Sequence, residues 1–285
     1  MLPKIIHQLW IGDIKAPLDI MKSYETMNPT FQYMFWNEET LKILRIPKKY
    51  QQKIDNMEEI NGKADMYRWI ILRDYGGIFV DADMLCMHPF TDKHTEKSWF
   101  CYEQEVARPN LCATTIMGFT KNHLIPNKCI EHILNNYIKS PAWISVGPTL
   151  LSNIYYDNQK EIKDIDILPS YTFLPDHHTG ISYNGHGKVY ATHLWGSTKN
   201  NNKNLNNTQI PDYLKQPSKK NYIEIDITHL DHKQIDSFIK SLPLIQGRYN
   251  ILIISNKVID CSDYRWVNNI NPLSMASMVN DLVEQ

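Results

Sequence analysis

The sequence has few of the features that mark several large protein classes. Its five cysteines, at positions 86, 101, 112, 129 and 261, are odd in number and have no Cys-x-x-Cys spacing, so neither a disulfide framework nor a zinc site is indicated. No run approaches the roughly 18 apolar residues of a membrane-spanning helix. The N-terminus has no charged region followed by an apolar segment and a cleavage site. We therefore expect reduced thiols, no transmembrane segment and a cytoplasmic chain.

The sequence also has no excess of either positive or negative charge. The formal net charge is −1, from 30 basic and 31 acidic residues, so there is no general electrostatic reason to expect nucleic acid or an anionic membrane as a partner. Any phosphate group must then be bound by a local site. The sequence leaves the oligomeric state open.

A sizeable core is nevertheless expected, because 42% of the 285 residues are hydrophobic. Strand and helix patterns alternate from the N-terminus, which predicts an α/β fold with a mostly parallel central sheet. We predict one large domain over residues 1–198 and an Asn/Lys-rich linker or lid over 199–220. Residues 221–285 are predicted to form a small C-terminal α/β appendage of βαβ type.

The stretch from Gly62 to Asp83 carries the strongest local signals. Apolar residues at helical spacing predict a helix over 64–75, and Asp65 and Arg68 are three residues apart on one face of it. Gly76 and Gly77 stop this helix and allow a tight turn. The apolar run that follows, residues 78–80, is typical of a buried strand of a parallel sheet.

This predicted strand ends in two carboxylates. Asp81 and Asp83 are two residues apart, so their side chains share a face at the carboxyl end of the strand, where α/β sheets place their ligands. Paired carboxylates suit Mg²⁺ or Mn²⁺ bridging to a diphosphate. A lone Asp-x-Asp is more often a solvated loop, but the strand before it and the Asp65/Arg68 helix favour a site.

The pattern Ala64-Asp65-x-x-Arg68, Tyr75-Gly76-Gly77-Ile78 and Asp81-x-Asp83 resembles the core of the glycosyltransferase family whose sugar-binding region contains a DXD motif. This family includes initiating mannosyltransferases and capsule-synthesis enzymes, and the clostridial glucosylating toxins are distant relatives. The resemblance covers roughly residues 3–198. It implies a GT-A-like nucleotide-sugar-binding fold, a divalent metal, Mn²⁺ or Mg²⁺, and transfer to a glycan or other hydroxyl acceptor with retention at the anomeric carbon.

The resemblance also implies roles for individual residues. Trp10 matches the tryptophan that stacks on the donor base in the toxin relatives, which favours a UDP-linked donor over GDP-mannose. His193 would join Asp81 and Asp83 as a metal ligand, and Asp65, Arg68, Asp81 and Asp83 form the expected catalytic set. The nucleotide-sugar donor is expected to contact these residues: His7, Gln8, Trp10, Asp65, Arg68, Gly76, Gly77, Asp81, Gly147, Trp195 and Ser197. Thr198 stands where the family usually has a tryptophan, which weakens the role of Ser197.

Two other functions fit parts of the sequence. The run Ile-Phe-Val-Asp81-Ala-Asp83 also resembles the nucleophile strand of haloacid-dehalogenase-like phosphohydrolases, although that strand normally lies near the start of the chain. A non-catalytic module that binds sugar or nucleotide is the second alternative. Of the remaining histidines, we expect His177, His178 and His186 to be exposed loop residues.

Overall fold

The computed structural model describes residues 1–182, 186–211, 214, 222–226 and 250–254. The strands are β1 (Ile5–Leu9), β2 (Gln32–Trp36), β3 (Gly77–Val80), β4 (Met84–Cys86), β5 (Ser98–Gln104), β6 (Arg108–Phe119), β7 (Ile165–Leu168), β8 (Ala191–His193), β9 (Tyr222–Asp226) and β10 (Asn250–Ile254). The α-helices are α1 (Leu18–Met27), α2 (Lys48–Asp55), α3 (Ile60–Tyr75), α4 (Lys93–Glu96), α5 (Leu124–Asn135), α6 (Trp143–Val146) and α7 (Pro148–Asp157). Three 3-10 helices occupy Thr40–Ile43, Ser170–Thr172 and Asn202–Asn207.

A six-stranded sheet in the order β2-β1-β3-β6-β5-β7 forms the centre of the fold. β1 is parallel to β2 and to β3, and β5 is parallel to β7. β6 runs antiparallel to its neighbours β3 and β5. The predicted α/β class with a mostly parallel central sheet is therefore confirmed, and β6 is the antiparallel strand of this sheet.

The core lies on both faces of this sheet. Phe79 of β3 packs into one cluster with Trp69 of α3 and Ile130 of α5. The neighbouring residues Ile78 and Val80 point to the opposite face, where they join a second cluster that contains aromatic side chains. Strand β3 is thus buried on both sides, as its uninterrupted apolar sequence predicts.

The turn between α3 and β3 depends on its two glycines. Gly76 and Gly77 have φ angles of 67° and 91°, a region that side chains with a Cβ rarely adopt. A Cβ on Gly76 would lie 2.6 Å from the backbone nitrogen of Lys121, and one on Gly77 would lie 2.7 Å from the Ile5 carbonyl oxygen. These glycines therefore allow β3 to enter the sheet directly after the helix.

Strand β4 continues the chain beyond Asp83 and pairs with β8 in a separate two-stranded sheet. The two strands are antiparallel, and their register places Met84 opposite His193. Because Met84 directly follows Asp83, this pairing brings a distant histidine to the end of the Asp-x-Asp motif.

The chain divides into two compact units, Met1–Lys219 and Lys220–Gln285. In the first unit, Leu205 and Ile210 are buried in a small cluster with Ile20 and Leu85. In the second, β9 and β10 form a parallel pair, as a βαβ arrangement requires; the rest of the predicted appendage lies outside the described residues. The predicted domain boundary at 199–220 stays a prediction.

In the part of the chain that the structure describes, no helix is both long enough and apolar enough to cross a membrane. The cytoplasmic location stays a prediction.

Candidate active site

A cavity of about 670 Å³ opens at the carboxyl ends of β1 and β3. Such a volume lies within the range of sites that bind cofactor-sized ligands, roughly 300–1,000 Å³. Its walls include eight of the residues expected from the sequence to form the site: Trp10, Asp65, Arg68, Asp81, Asp83, His193, Trp195 and Ser197. The structure thus brings together side chains that are far apart in the chain.

Asp83 and His193 form the buried end of this site. Nε2 of His193 lies 3.0 Å from Oδ1 of Asp83, and the backbone N–H of Gly196 donates to Oδ2 at 2.7 Å. The ligand atoms of Asp81, Asp83 and His193 all lie within 4.8 Å of one another. Two carboxylate oxygens and one imidazole nitrogen are a donor set that suits Mn²⁺, so these residues fit the metal that the sequence predicts.

Arg68 links two of the predicted site carboxylates, Asp65 and Asp81. Its guanidinium donates through Nη1 to Asp65 and through Nη2 to Asp81. The guanidinium carbon also lies 4.9 Å from the centre of the Phe79 ring. The side chain is buried, with 7% of its surface exposed, so its charge depends on the two carboxylates for compensation.

The electrostatic environment differs between the two aspartates of the motif. Burial raises the pKa of Asp81 to about 6; Arg68 opposes this rise and the nearby Asp83 adds to it. Burial also acts to raise the pKa of Asp83, but His193 and the Gly196 N–H together hold that pKa below its usual value. Asp83 is therefore the carboxylate best able to remain ionised for a cation, and the same pairing raises the pKa of His193 against the effect of burial.

Gly147 lies behind the carboxylate of Asp65. A Cβ on this glycine would be 2.7 Å from Oδ2 of Asp65, which is too close for any other residue without movement of the aspartate. Pro148 begins α7 at this point and lines the cavity. The predicted site residue Gly147 does not line the cavity. Its lack of a side chain leaves the space that the Asp65 carboxylate occupies.

The predicted base-stacking residue Trp10 lies on the cavity wall, with its indole N–H donating to the Ile14 carbonyl oxygen at 2.5 Å. At another part of the wall, the Trp195 indole donates to the Asp176 carbonyl oxygen at 2.8 Å. The Trp195 ring centre is 4.2 Å from that of His193. Ser197 follows on the same loop, where its hydroxyl accepts from Asn202 at 3.2 Å.

Besides Gly147, four of the expected donor-binding residues do not line the cavity: His7, Gln8, Gly76 and Gly77. His7 is buried, with Nε2 2.8 Å from the Gly76 carbonyl oxygen, and the same turn contains Gly77. Gln8 is buried below the motif and donates to the Asp81 carbonyl oxygen at 3.2 Å. These polar groups satisfy backbone groups that support the site, which is the reason for their presence in an otherwise apolar strand.

Several cavity residues were not predicted from the sequence. Glu103 and Arg108 lie at the ends of the β5–β6 hairpin, and Trp143 projects from the short helix α6. Arg108 packs over the Trp143 ring, with 5.7 Å between the guanidinium carbon and the ring centre. No motif marks these positions: the pairing of β5 with β6 brings Glu103 and Arg108 to the cavity, and helix α6 brings Trp143 there.

Residues 17–103 match the model of the family described as "Glycosyltransferase sugar-binding region containing DXD motif". Over these residues the chain is similar to the sugar-binding region of this family. The segment contains Asp65, Arg68, Asp81 and Asp83, so the resemblance predicted from the sequence is confirmed over these residues. Trp10, His193 and Trp195 lie outside the match.

Two curated relatives are similar to parts of this chain. A 93-residue alignment covers 30% of this chain and 37% of "Uncharacterized glycosyltransferase L373" of Acanthamoeba polyphaga mimivirus, at 33% identity. A 163-residue alignment covers 54% of this chain and 45% of "Inositol phosphoceramide mannosyltransferase 3" of Schizosaccharomyces pombe (strain 972 / ATCC 24843), at 28% identity. The chain thus spans less than half of the length of either relative.

Among solved structures, "PaToxG Glycosyltransferase" matches with a TM-score of 0.46 and 18% identity. That alignment covers 57% of this chain and 72% of the matched chain.

Proposed function

We propose that this protein is a metal-dependent glycosyltransferase that moves a sugar from a nucleotide-sugar donor to a hydroxyl group of a glycan or another acceptor. The observation that carries this proposal is the meeting of Asp81, Asp83 and His193 within 4.8 Å of one another at the wall of a cavity of about 670 Å³. The family match over residues 17–103 supports the same reaction class.

The three clustered side chains would hold the divalent cation. When bound, such an ion supplies a Lewis acid that neutralises the charge on a departing diphosphate. Asp83 keeps its charge for this purpose because His193 and the Gly196 N–H stabilise its ionised form. Asp81 is shared with Arg68, so we propose that it contacts either the ion or the donor ribose.

The other cavity residues would position the donor. Asp65 and Arg68 lie together on α3 and form hydrogen bonds to each other, an arrangement that can present both an acceptor and a donor group to sugar hydroxyls. Trp10 would stack on the nucleotide base, and its similarity to the toxin tryptophan favours uridine. Trp195 and Ser197 lie on the loop after β8 and would close the cavity wall near the diphosphate.

We also propose that the anomeric configuration is retained, through attack from the face of the leaving group. In this route the leaving phosphate takes the proton of the acceptor hydroxyl, so none of the carboxylates need act as a covalent nucleophile. The family resemblance is the support for this part of the proposal. An NMR measurement of the anomeric configuration of the first-formed product tests it, and an inverted product would contradict it.

A donor-hydrolysis assay tests the reaction class. Wild-type protein is mixed with a panel of nucleotide sugars and Mn²⁺, and free nucleotide and inorganic phosphate are measured separately. A transferase releases the free nucleotide, a phosphohydrolase releases inorganic phosphate, and a binding module releases neither. The matched variants are Asp83→Asn, which should lose the activity, and Asp92→Asn, which changes a carboxylate that is 86% exposed and should keep it.

A further inference from the structure

A second group of metal-ligating side chains lies in the same cavity, apart from Asp81, Asp83 and His193. It consists of Glu103 at the end of β5 and the consecutive residues His177 and His178, and their ligand atoms all lie within 4.8 Å of one another. Oε1 of Glu103 is 3.1 Å from Nε2 of His177. Glu103 and His178 line the cavity, so an ion could reach the group from the same opening as the donor.

The spacing of these atoms is close to that of a small coordination sphere. With metal–ligand distances of about 2.1 Å, neighbouring ligand atoms in a tetrahedral zinc site are about 3.4 Å apart. The Glu103–His177 distance of 3.1 Å is only a few tenths of an ångström shorter. An ion would replace the hydrogen bond between these atoms with two bonds to itself.

The orientation of His177 also fits a ligand. Its Nδ1 lies 2.7 Å from the Thr179 hydroxyl, which directs Nε2 towards Glu103. Metal-binding histidines are commonly held in this way by a hydrogen bond to the other ring nitrogen. Since a hydroxyl both donates and accepts, Thr179 can pair with Nδ1 whether or not Nε2 carries a proton.

Charge and burial add a second argument. The Glu103 side chain is 12% exposed and His177 is fully buried, and in the described part of the chain the one hydrogen bond that Glu103 makes is to this histidine. A metal cation bound at this point would compensate the charge of the buried carboxylate. The positive charges of Arg108 and Lys199 act on His178 from other segments, so binding of a cation here depends on its bonds to the two imidazoles and the carboxylate.

We propose that Glu103, His177 and His178 form a second, nitrogen-rich metal site that takes Zn²⁺ or an ion of similar preference. Two imidazoles and one carboxylate would leave the fourth position of a tetrahedral ion open, as in catalytic zinc sites, and two of these ligands, Glu103 and His178, line the cavity. The ion would fix the loop of residues 176–182 against β5. This proposal does not depend on the glycosyltransferase reaction.

Occupation of the second site would also influence the first. The Trp195 ring contacts the imidazoles of both groups, with centre-to-centre distances of 5.2 Å to His177, 5.1 Å to His178 and 4.2 Å to His193. A bound ion that fixes His177 and His178 would therefore restrict the movement of the Trp195 ring, which also contacts His193 of the first site.

Zn²⁺ titration against a chromophoric chelator tests the second site by binding alone. The experiment uses the Asp83→Asn protein, in which the first site has lost its central ligand. We expect one equivalent of Zn²⁺ to bind to this protein, and Co²⁺ in its place to give the visible absorption of a four-coordinate ion. Adding His178→Ala should weaken Zn²⁺ binding at least about 100-fold, whereas Thr179→Ala, which removes an outer hydrogen bond, should weaken it about tenfold.

The matched control is His186→Ala in the same background, because His186 is an exposed histidine of the same region and should leave Zn²⁺ affinity unchanged. Glu103→Gln keeps a side chain that can hydrogen-bond to His177 but removes the charged ligand, so it should fold and bind Zn²⁺ weakly. Circular dichroism confirms folding of each variant. Absence of Zn²⁺ binding to the Asp83→Asn protein, or equal affinities for the folded His178→Ala, Glu103→Gln and His186→Ala variants, would overturn the proposal.

Discussion

Replacement of His7 should reduce the dependence of stability on pH. The Trp36 indole N–H lies 3.1 Å from Nδ1 of His7 and can only donate, so Nδ1 accepts and the neutral ring donates from Nε2 to the Gly76 carbonyl oxygen. Burial lowers the pKa of His7 from 6.5 to about 4, and the hydrogen bond to Gly76 opposes this change only in part. A second proton on the ring would be on Nδ1, where it would face the Trp36 N–H and displace the hydrogen bond between them.

The magnitude follows from linkage between protonation and folding. The unfolded chain binds this proton at higher pH than the folded chain does, so the stabilising effect is complete above the unfolded pKa and is lost as the pH falls through the interval down to the folded pKa. Each pKa unit corresponds to about 1.4 kcal/mol. His7 should therefore account for about 3 kcal/mol of the stability lost between about pH 7 and about pH 4.

Urea unfolding followed by tryptophan fluorescence measures this effect. His7→Gln removes the titrating group, so the variant should be less stable at neutral pH but should lose about 3 kcal/mol less than the wild type on acidification. His186→Gln, an exposed loop substitution, should keep the wild-type pH dependence. The reasoning is refuted if His7→Gln and the wild type lose the same free energy of unfolding between the two pH values.

Three substitutions test the donor site. Trp10→Ala should weaken UDP binding by about ten- to a hundredfold in calorimetry, because base stacking contributes about 1 to 3 kcal/mol; unchanged affinity would contradict the stacking role. Asp65→Asn should abolish sugar transfer and leave UDP affinity nearly unchanged, and near-normal turnover would show that Asp65 does not hold the sugar. Gly147→Ala should reduce turnover at unchanged UDP affinity, because its Cβ would lie 2.7 Å from Asp65 Oδ2; a turnover equal to that of the wild type would show that Asp65 can move at no cost.

The sequence was most informative about features that depend on residues close together in the chain. The helical spacing of Asp65 and Arg68 placed them correctly on one face, and the glycine pair marked the turn into β3. The apolar run and the two aspartates identified the end of a central strand. These features depend on local backbone preferences and on side-chain periodicity, so they can be read from a short stretch of the chain.

Contacts between distant segments were harder to predict. Arg68 pairs with Asp81 as well as with Asp65, and nothing in the spacing of residues 68 and 81 indicates this bond. His177 was expected to be exposed, and this prediction was wrong: the residue is 3% exposed. Its ring contacts Glu103 of β5 and Trp195 of the loop after β8, and no local sequence pattern links either residue to it.

Polar residues in a buried strand were a further source of ambiguity. His7 and Gln8 were expected to contact the donor, because a polar group in a core needs a reason to be there. The structure shows that the backbone supplies that reason, through the carbonyl groups of Gly76 and Asp81. The sequence alone does not show whether such a side chain faces a ligand or a carbonyl group.

The central claim is that Asp81, Asp83 and His193 hold the ion on which a nucleoside diphosphate binds. Calorimetric titration of UDP into the wild-type protein, in Mn²⁺ and then in EDTA, tests it most directly. Without the ion the diphosphate meets bare carboxylates, and like charges about 4 Å apart repel by about 4 kcal/mol at an effective dielectric constant of 20. UDP affinity should therefore fall by about a thousandfold in EDTA. Asp83→Asn should bind UDP as weakly in Mn²⁺ as the wild type does in EDTA, and UDP binding that is equally tight with and without the ion would contradict the account.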